Sequence, residues 1–469
     1  MTVPARPPDA PEPVTARWPD AARPLRSRSA RTAPVRPTPA VLGWDGSLLL
    51  PGFWMVSLLL VVGGVRIATL LRDGFAAYPV ATSVALLLFG LYAVPFWLFV
   101  GALDFLEREP PVLLACAFAW GALVATTVSM SGSPAGHNLL AKLGSPELAA
   151  NWGSAIAGAT VEEIAKTLGI VAIALVARSQ VNSVLDGVVY GALVGLGFQV
   201  VEGVVYSLSA VALAGRGDAV DPVVATFFLR GFLAGPWSHT LFSALAGAGV
   251  GYLVVRTDRS APSRVGTAAL ALAGAWLCHF LWNSPLLGDG LGYGGLGVLA
   301  GLLAKGVPPL LMILWLVRVA RAREADFYLG QLAALGDPRV VTDAELAVLG
   351  RAGLRAEARR YAHGRSGLRG GRAVRRLQRA QARLAVALSR VVPPGTDPRQ
   401  LRAAVRSDAD AGRWYREALA QRARLLRLRH PEALAPHQRR TTTRRWATGG
   451  LVTVAVFVVW LAIRALGGA

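Results

Sequence analysis

The chain has 469 residues, 54% of them hydrophobic and only 16% charged, with a mean hydropathy of +0.45. A soluble globular domain carries about 25% charged residues, so this composition excludes that class and indicates a membrane protein. The net charge of +21 comes almost wholly from arginine, since lysine occurs only at positions 142, 166 and 305. Cys116 and Cys278 lie in apolar runs without CxxC spacing, so neither a disulfide framework nor a thiolate metal site is indicated.

Residues 1–44 are rich in Pro, Arg and Ala without apolar periodicity, and read as a disordered basic tail. The tail is too long and too proline-rich ahead of the first apolar run for an ordinary cleaved signal peptide, so the first span is expected to be retained. A bilayer crossing needs about 20 apolar residues. Spans are expected at 48–71, 78–101, 111–130, 155–177, 185–214, 236–255, 265–283 and 293–317, with a ninth at 449–465. Residues 131–153 read as a loop carrying a short interfacial helix. The 221–235 stretch, which contains T-F-F-L-R-G-F-L, reads as a segment that lies at the interface or re-enters.

From 318 to 445 the pattern changes to polar helices. Thr342-x-x-Glu345 is a capping-box signature. Val374, Leu377, Gln381, Leu384, Leu388 and Val391 step by three and four, as a helix-pairing seam does. A turn at 393–398 lets residues 414–428 fold back as the second arm of a hairpin. Its many arginines suit a solvated hairpin near an anionic leaflet, and no specific nucleic-acid partner is expected. The basic tail and this arginine-dense segment flank an even number of spans, which places both on the cytoplasmic side of the plasma membrane. The expected fold is therefore an all-α, polytopic transmembrane helix bundle. It divides into a tail (1–44), an eight-span core (45–318), a cytosolic helical region (319–445) and a C-terminal transmembrane helix (446–469).

One short stretch does not fit a plain membrane span. T-V-E-E-I-A-K-T-L at 160–168 puts Glu162, Glu163 and Lys166 inside an apolar run, where each charge costs roughly 2.5 to 3.5 kcal/mol at a helix centre. Lys166 stands three and four residues after the two carboxylates, so it can neutralise one of them on the same helix face. One negative charge is left over. The following spans carry Phe198-x-x-x-Glu202, His239 after Trp237 and Ser238, and His279-x-x-x-Asn283. With spans alternating in direction, these groups fall early, late, early and late along their helices, which puts them all in one layer of the extracytoplasmic half.

Carboxylate and imidazole groups suit Zn²⁺, and a three-ligand open site would leave a water to be activated, with a nearby glutamate as its base. Hydrolysis is the economical reading. G-x-S-x-G, H-E-x-x-H and Walker motifs are absent from the sequence.

Taken together, E-E-x-x-K at 162–166, F-x-x-x-E at 198–202, His239 opening the next span and H-x-x-x-N at 279–283 resemble the PrsW family of intramembrane proteases. That family is itself similar to the CAAX prenyl protease and bacteriocin-processing group. The resemblance implies that Glu162 and Glu163 are the catalytic pair, one of them the base for water. It implies that Glu202, His239, His279 and Asn283 are metal ligands or groups that bind water and an oxyanion, with Glu202, His239 and His279 as the expected ligands of a divalent metal, Zn²⁺. Lys166 would pair with the spare carboxylate, and Phe198 would pack beneath Glu202. Membrane-anchored proteins would be the substrates. A proton- or ion-coupled transporter would use similar buried groups but should show two similar halves, and a membrane scaffold would use them as structural glue.

Overall fold

The computed structural model describes residues 50–103, 109–233, 238–288, 292–393, 396–430 and 432–435. The expected basic tail, the first residues of the first and sixth spans and the whole ninth span lie outside these. Among the described residues the chain is all-α, without a strand.

Helices α1 (Pro51–Ala77) and α2 (Pro79–Leu103) are followed by α3 (Pro111–Leu143), which carries a π turn at Trp120–Ala125. A short α4 (Pro146–Gly153) passes through a second π turn, Ser154–Gly158, into α5 (Ala159–Val176). Next come α6 (Val184–Ala214), the short α7 (Asp221–Phe227) with a third π turn at Phe228–Leu233, α8 (His239–Val255) and α9 (Ala261–Asn283). Helix α10 (Gly294–Ala334) leads into α11 (Asp343–Leu349), α12 (Ala352–Val391), α13 (Pro398–Ser407) and α14 (Ala409–Arg427).

Six of these, α1, α2, α3, α6, α9 and α10, are long and apolar enough to cross a membrane. Of the other two expected spans, α8 has 17 residues and α5 carries the three ionisable groups. Helix α6 is the centre of the bundle: 78% of its most apolar window is buried, against 11% for α1. A helix that is apolar on all sides belongs in such a place. It starts with a capping box, in which Ser183 Oγ accepts from the Asp186 amide at 3.1 Å and Asp186 Oδ2 accepts from the Ser183 amide at 2.8 Å. It stops at Gly215, whose φ of 63° is left-handed.

Glycines decide what packs against α6. A Cβ at Gly187, Gly191 or Gly195 would collide with the backbone carbonyls of Gly247, Ser243 and His239 respectively, and one at Gly197 with that of Phe118 on α3. The G-x-x-x-G-x-x-x-G face thus brings α8 into backbone contact, as small residues do between membrane helices. His239 is fixed by this contact, because its own carbonyl is the one that Gly195 accommodates.

One segment differs from the sequence expectation. Residues 131–143 are a continuation of α3, not a loop, and helix persists through Pro134. The cause is packing: a Cβ at Gly132 would lie 2.7 Å from Val161 Cγ1, and one at Gly136 would lie 2.6 Å from Ala157 Cβ, so these glycines let α3 continue flush against 154–161. At the other end, the expected boundary at 318 falls inside α10. Ile313, Val317 and Ala320 belong to the core of the bundle, whereas Ala325, Tyr328 and Leu332 belong to a second core formed with α11 to α14. Within that second core the expected seam is buried at Val374, Leu377, Gln381, Leu384 and Leu388, while Val391 is 44% exposed. Glu345, besides closing its capping box with Thr342, is paired with the buried Arg422. The turn after α12 leads first into α13 and only then into the returning arm α14.

If backbone contact between α6 and α8 holds the bundle, Gly191→Ala should lower stability by about 1–3 kcal/mol through overpacking. The change is read as a drop in the thermal midpoint of the detergent-solubilised protein. Gly90→Ala, at a position with nothing within 4 Å of an added Cβ, should leave the midpoint unmoved.

Candidate functional site

Glu162 stands in the first turn of α5, directly after the π turn Ser154–Gly158, and Glu163 follows it. Both are buried, and Lys166 one turn later has no exposed surface at all. Lys166 Nζ donates to Glu163 Oε1 at 2.6 Å and lies 3.0 Å from His239 Nδ1. An ammonium only donates, so Nδ1 of His239 is the acceptor and its Nε2 carries the proton. That proton points at Glu202 Oε2, 2.9 Å away.

His279 is set by the same logic. Its Nδ1 is 2.8 Å from Glu163 Oε1; a carboxylate only accepts, so Nδ1 carries the proton and Nε2 keeps its lone pair. Asn283 Nδ2 donates to that Nε2 at 3.1 Å and to the Ser154 carbonyl at 3.2 Å. The Ser154 carbonyl opens the π turn and accepts from the Ala159 amide as well.

Between the two imidazoles lies Glu162. Its Oε2 is 3.8 Å from His239 Nδ1 and 3.6 Å from His279 Nε2, and it has no hydrogen-bond partner. Three lone-pair-bearing atoms thus face one another; His239 Nδ1 and His279 Nε2 also accept from Lys166 and Asn283, and Glu162 Oε2 accepts from neither. Among the described residues, Glu162, His239 and His279 are the group whose donor atoms all lie within 4.8 Å of one another. This donor set, buried and made of imidazole and carboxylate, fits a divalent cation. Each imidazole also donates its other N–H to a carboxylate, which is how metal-binding histidines are usually oriented.

The expected ligand set was Glu202, His239 and His279; the carboxylate that lies with the two histidines in the converging group is that of Glu162. Glu202 is engaged elsewhere, because its Oε2 faces the N–H of His239 and also accepts from Arg230 Nη2 at 2.6 Å. The Phe198 ring lies 4.9 Å from that of His239, and Lys166 Nζ sits 4.8 Å over its face. Glu162, Glu163, Lys166, Glu202, His239, His279 and Asn283 are otherwise brought into one cluster.

Sequence reasoning missed Arg230 and Tyr206. Arg230 sits on the π turn Phe228–Leu233, and its guanidinium stacks 3.7 Å from the centre of the Tyr206 ring. A signal was present: one arginine inside the apolar run T-F-F-L-R-G-F-L is as costly as Lys166 and needs a partner for the same reason. Gln199 was missed too; its amide links Tyr92 of α2, at 2.7 Å, to Thr240 of α8, at 3.2 Å. Arg230, Tyr206 and Gln199 join Glu162, Glu202, His239 and Asn283 around a cavity of about 530 Å³. Pro134, His137 and Asn138, from the second half of α3, line it as well.

Fold and site together define a polytopic helical membrane protein with a polar, metal-competent centre inside the bundle. Residues 109–315 match the family model of the PrsW family intramembrane metalloprotease. The four motifs that carry the resemblance, at 162–166, 198–202, 239 and 279–283, all fall within the matched segment. No curated protein and no solved structure matches the chain.

The Lys166–Glu163 pair is open to direct test. Removing one partner of a buried pair costs about 3–5 kcal/mol, so Lys166→Met should lower the unfolding midpoint in detergent sharply. Adding Glu163→Gln should restore most of the loss, and a double variant no better than the single one would show that the pair does not act as a unit.

Proposed function

We propose that the chain hydrolyses a peptide bond in, or just outside, the transmembrane segment of membrane-anchored proteins, using a water activated at Glu162. The observation that carries this reading is the convergence of Glu162 Oε2, His239 Nδ1 and His279 Nε2, with both imidazoles oriented by carboxylates.

Of the two adjacent glutamates, Glu162 lines the cavity and Glu163 does not. Glu162 therefore meets the water, and as general base it accepts the proton that the departing amide nitrogen later needs. Glu163 holds the Nδ1 proton of His279, and Lys166 offsets its charge. Asn283 Nδ2, beside His279 Nε2, is a neutral donor for the oxygen of the substrate carbonyl as negative charge develops there. Glu202, fixed by Arg230, holds the ring of His239.

A divalent metal, zinc by its preference for imidazole and carboxylate, would be held by Glu162, His239 and His279 and would supply a water ionised near neutral pH. Glu162 as base for a free water and Glu162 as ligand use the same oxygen, and metal content separates the two.

The arginine bias places the N-terminus and residues 319–445 on the cytoplasmic side of the plasma membrane. None of the candidate groups lies in 319–445, so that region serves something other than the chemistry. The division at 1–44, 45–318, 319–445 and 446–469 belongs to the same proposal, with α10 running through its second boundary.

Metal analysis of detergent-purified protein should find one equivalent per chain, lost in His279→Ala and Glu162→Gln but kept in Asn283→Ala. Beside it, cleavage of a reconstituted single-span protein should fall about 10²–10⁴-fold in Glu162→Gln. Full cleavage by folded Glu162→Gln protein would overturn the reading, and cleavage by metal-free wild type would assign Glu162 as base alone.

A further inference from the structure

A second cavity, of about 590 Å³, adjoins the polar one. The two share Ser133, Pro134, Glu162, Glu202, Tyr206 and Arg230 as walls. Away from this junction they differ in chemistry. The first is bounded by polar groups such as His137, Asn138, Ser154 and Asn283 near the ends of α3 and α9, whereas the second is bounded by Met130, Val205, Ala210, Leu213 and Leu229. Leu213 and Leu229 are 88% and 57% exposed on the outside of the bundle. The metal-competent centre therefore has two approaches, a polar one suited to water and an apolar one that opens sideways between α3, α6 and α7.

We propose that this apolar groove seats the transmembrane segment of the substrate and delivers its peptide bond to Glu162. The inference rests on the protease reading given above. Along α6 the groove runs through Glu202, Val205, Tyr206, Ser209, Ala210 and Leu213, one face at helical spacing. From Glu202 to Leu213 the rise is about 16 Å, roughly half the hydrocarbon thickness. That length accepts about five residues of extended chain at 3.3 Å each, so the occupant is a short unwound stretch at the outer end of a membrane helix. An unwound stretch in hydrocarbon must satisfy its amides, and the polar groups it meets are those at the junction. Arg230 and Tyr206 stand there as positioning residues: the guanidinium, already bonded to Glu202 at 2.6 Å, has further N–H donors for a substrate carbonyl. A lipid acyl chain would fit the apolar walls equally but would leave those donors unused.

The test places a photo-crosslinking amino acid at Leu213 or Leu229, and in control chains at Leu175 or Leu270, which are 73% and 75% exposed elsewhere on the bundle. Each full-length chain carries Glu162→Gln to keep the substrate intact. It is reconstituted in phosphatidylethanolamine and phosphatidylglycerol vesicles with a fluorescent single-span protein, whose cleavage by wild type is followed in parallel. Crosslinks to this protein from Leu213 and Leu229, at about tenfold the yield from the controls, are expected for a specific seat. Cleavage by wild type with equal yields from all four positions, or with lipid adducts alone from the groove, would overturn the groove and leave the protease reading standing. Preferential crosslinking without any cleavage by wild type would remove the hydrolytic reading and leave the groove as a binding surface. In a second measurement, Arg230→Lys should retain more cleavage than Arg230→Ala, with the loss showing mainly in KM; equal loss in kcat from both would assign Arg230 to holding Glu202 alone.

Discussion

The structure depends on the burial of Lys166. Its ammonium has no exposed surface and sits inside a helix bundle that lipid surrounds, where an unpaired charge would cost several kcal/mol. Everything within reach answers that cost: Glu163 accepts a hydrogen bond at 2.6 Å, His239 offers a lone pair at 3.0 Å, and the face of Phe198 lies 4.8 Å away. Those partners come from α5, α8 and α6, so satisfying one lysine fixes the mutual positions of three helices. The two imidazoles inherit their tautomers from this arrangement. Once Lys166 donates to Nδ1 of His239 and Glu163 accepts from Nδ1 of His279, Nε2 of His239 must present its proton to Glu202, and the lone pair on Nε2 of His279 faces Glu162 and Asn283.

Charge counting leads to the same place. Glu162, Glu163 and Glu202 bring three carboxylates, and Lys166 and Arg230 bring two cations, with each cation hydrogen-bonded to its own glutamate. The remaining carboxylate is Glu162, which has no cation bonded to it and whose Oε2 lies between the two imidazoles. In a low-dielectric interior such an imbalance is not left diffuse. It defines the atom at which a cation is most strongly drawn, and it does so without reference to any motif.

Much of this was legible in the sequence because it depends on spacing. The i,i+3 relation of Glu163 and Lys166 forces them onto one helix face, and alternating helix direction forces Glu162, Glu202, His239 and His279 to one depth. What spacing does not encode is the rotation of each helix about its axis, which decides whether Glu202 or Glu162 completes the group with the two histidines. Glu202 is drawn aside by Arg230, which comes from a π turn in a segment too short and irregular for periodicity to reveal. The continuation of α3 through 131–143 was hidden for a related reason. Ser, Gly and Pro in succession signal a break locally, but Gly132 and Gly136 there serve close packing against Val161 and Ala157, and packing outweighs propensity when neighbours supply the contacts.

Close packing also explains why so polar a centre can be held still. Gly187, Gly191 and Gly195 on one side of α6 and Gly197 on the other allow backbones to touch where side chains would keep them apart. The carbonyl that meets Gly195 is that of His239 itself, and Trp120, donating to the Ala165 carbonyl at 3.0 Å, locks α3 against the helix that bears Lys166 and both glutamates. Trp276 does the same from α9, donating to Thr160 Oγ1 at 2.9 Å just ahead of Glu162. Glu162, Glu163, Lys166, His239 and His279 are therefore each within one turn of a contact that fixes its backbone. Membrane helices have little hydrophobic drive to associate with one another, so such contacts must supply both stability and alignment. The same glycines and indoles that hold the bundle together are what keep Glu162, His239 and His279 aimed at one point.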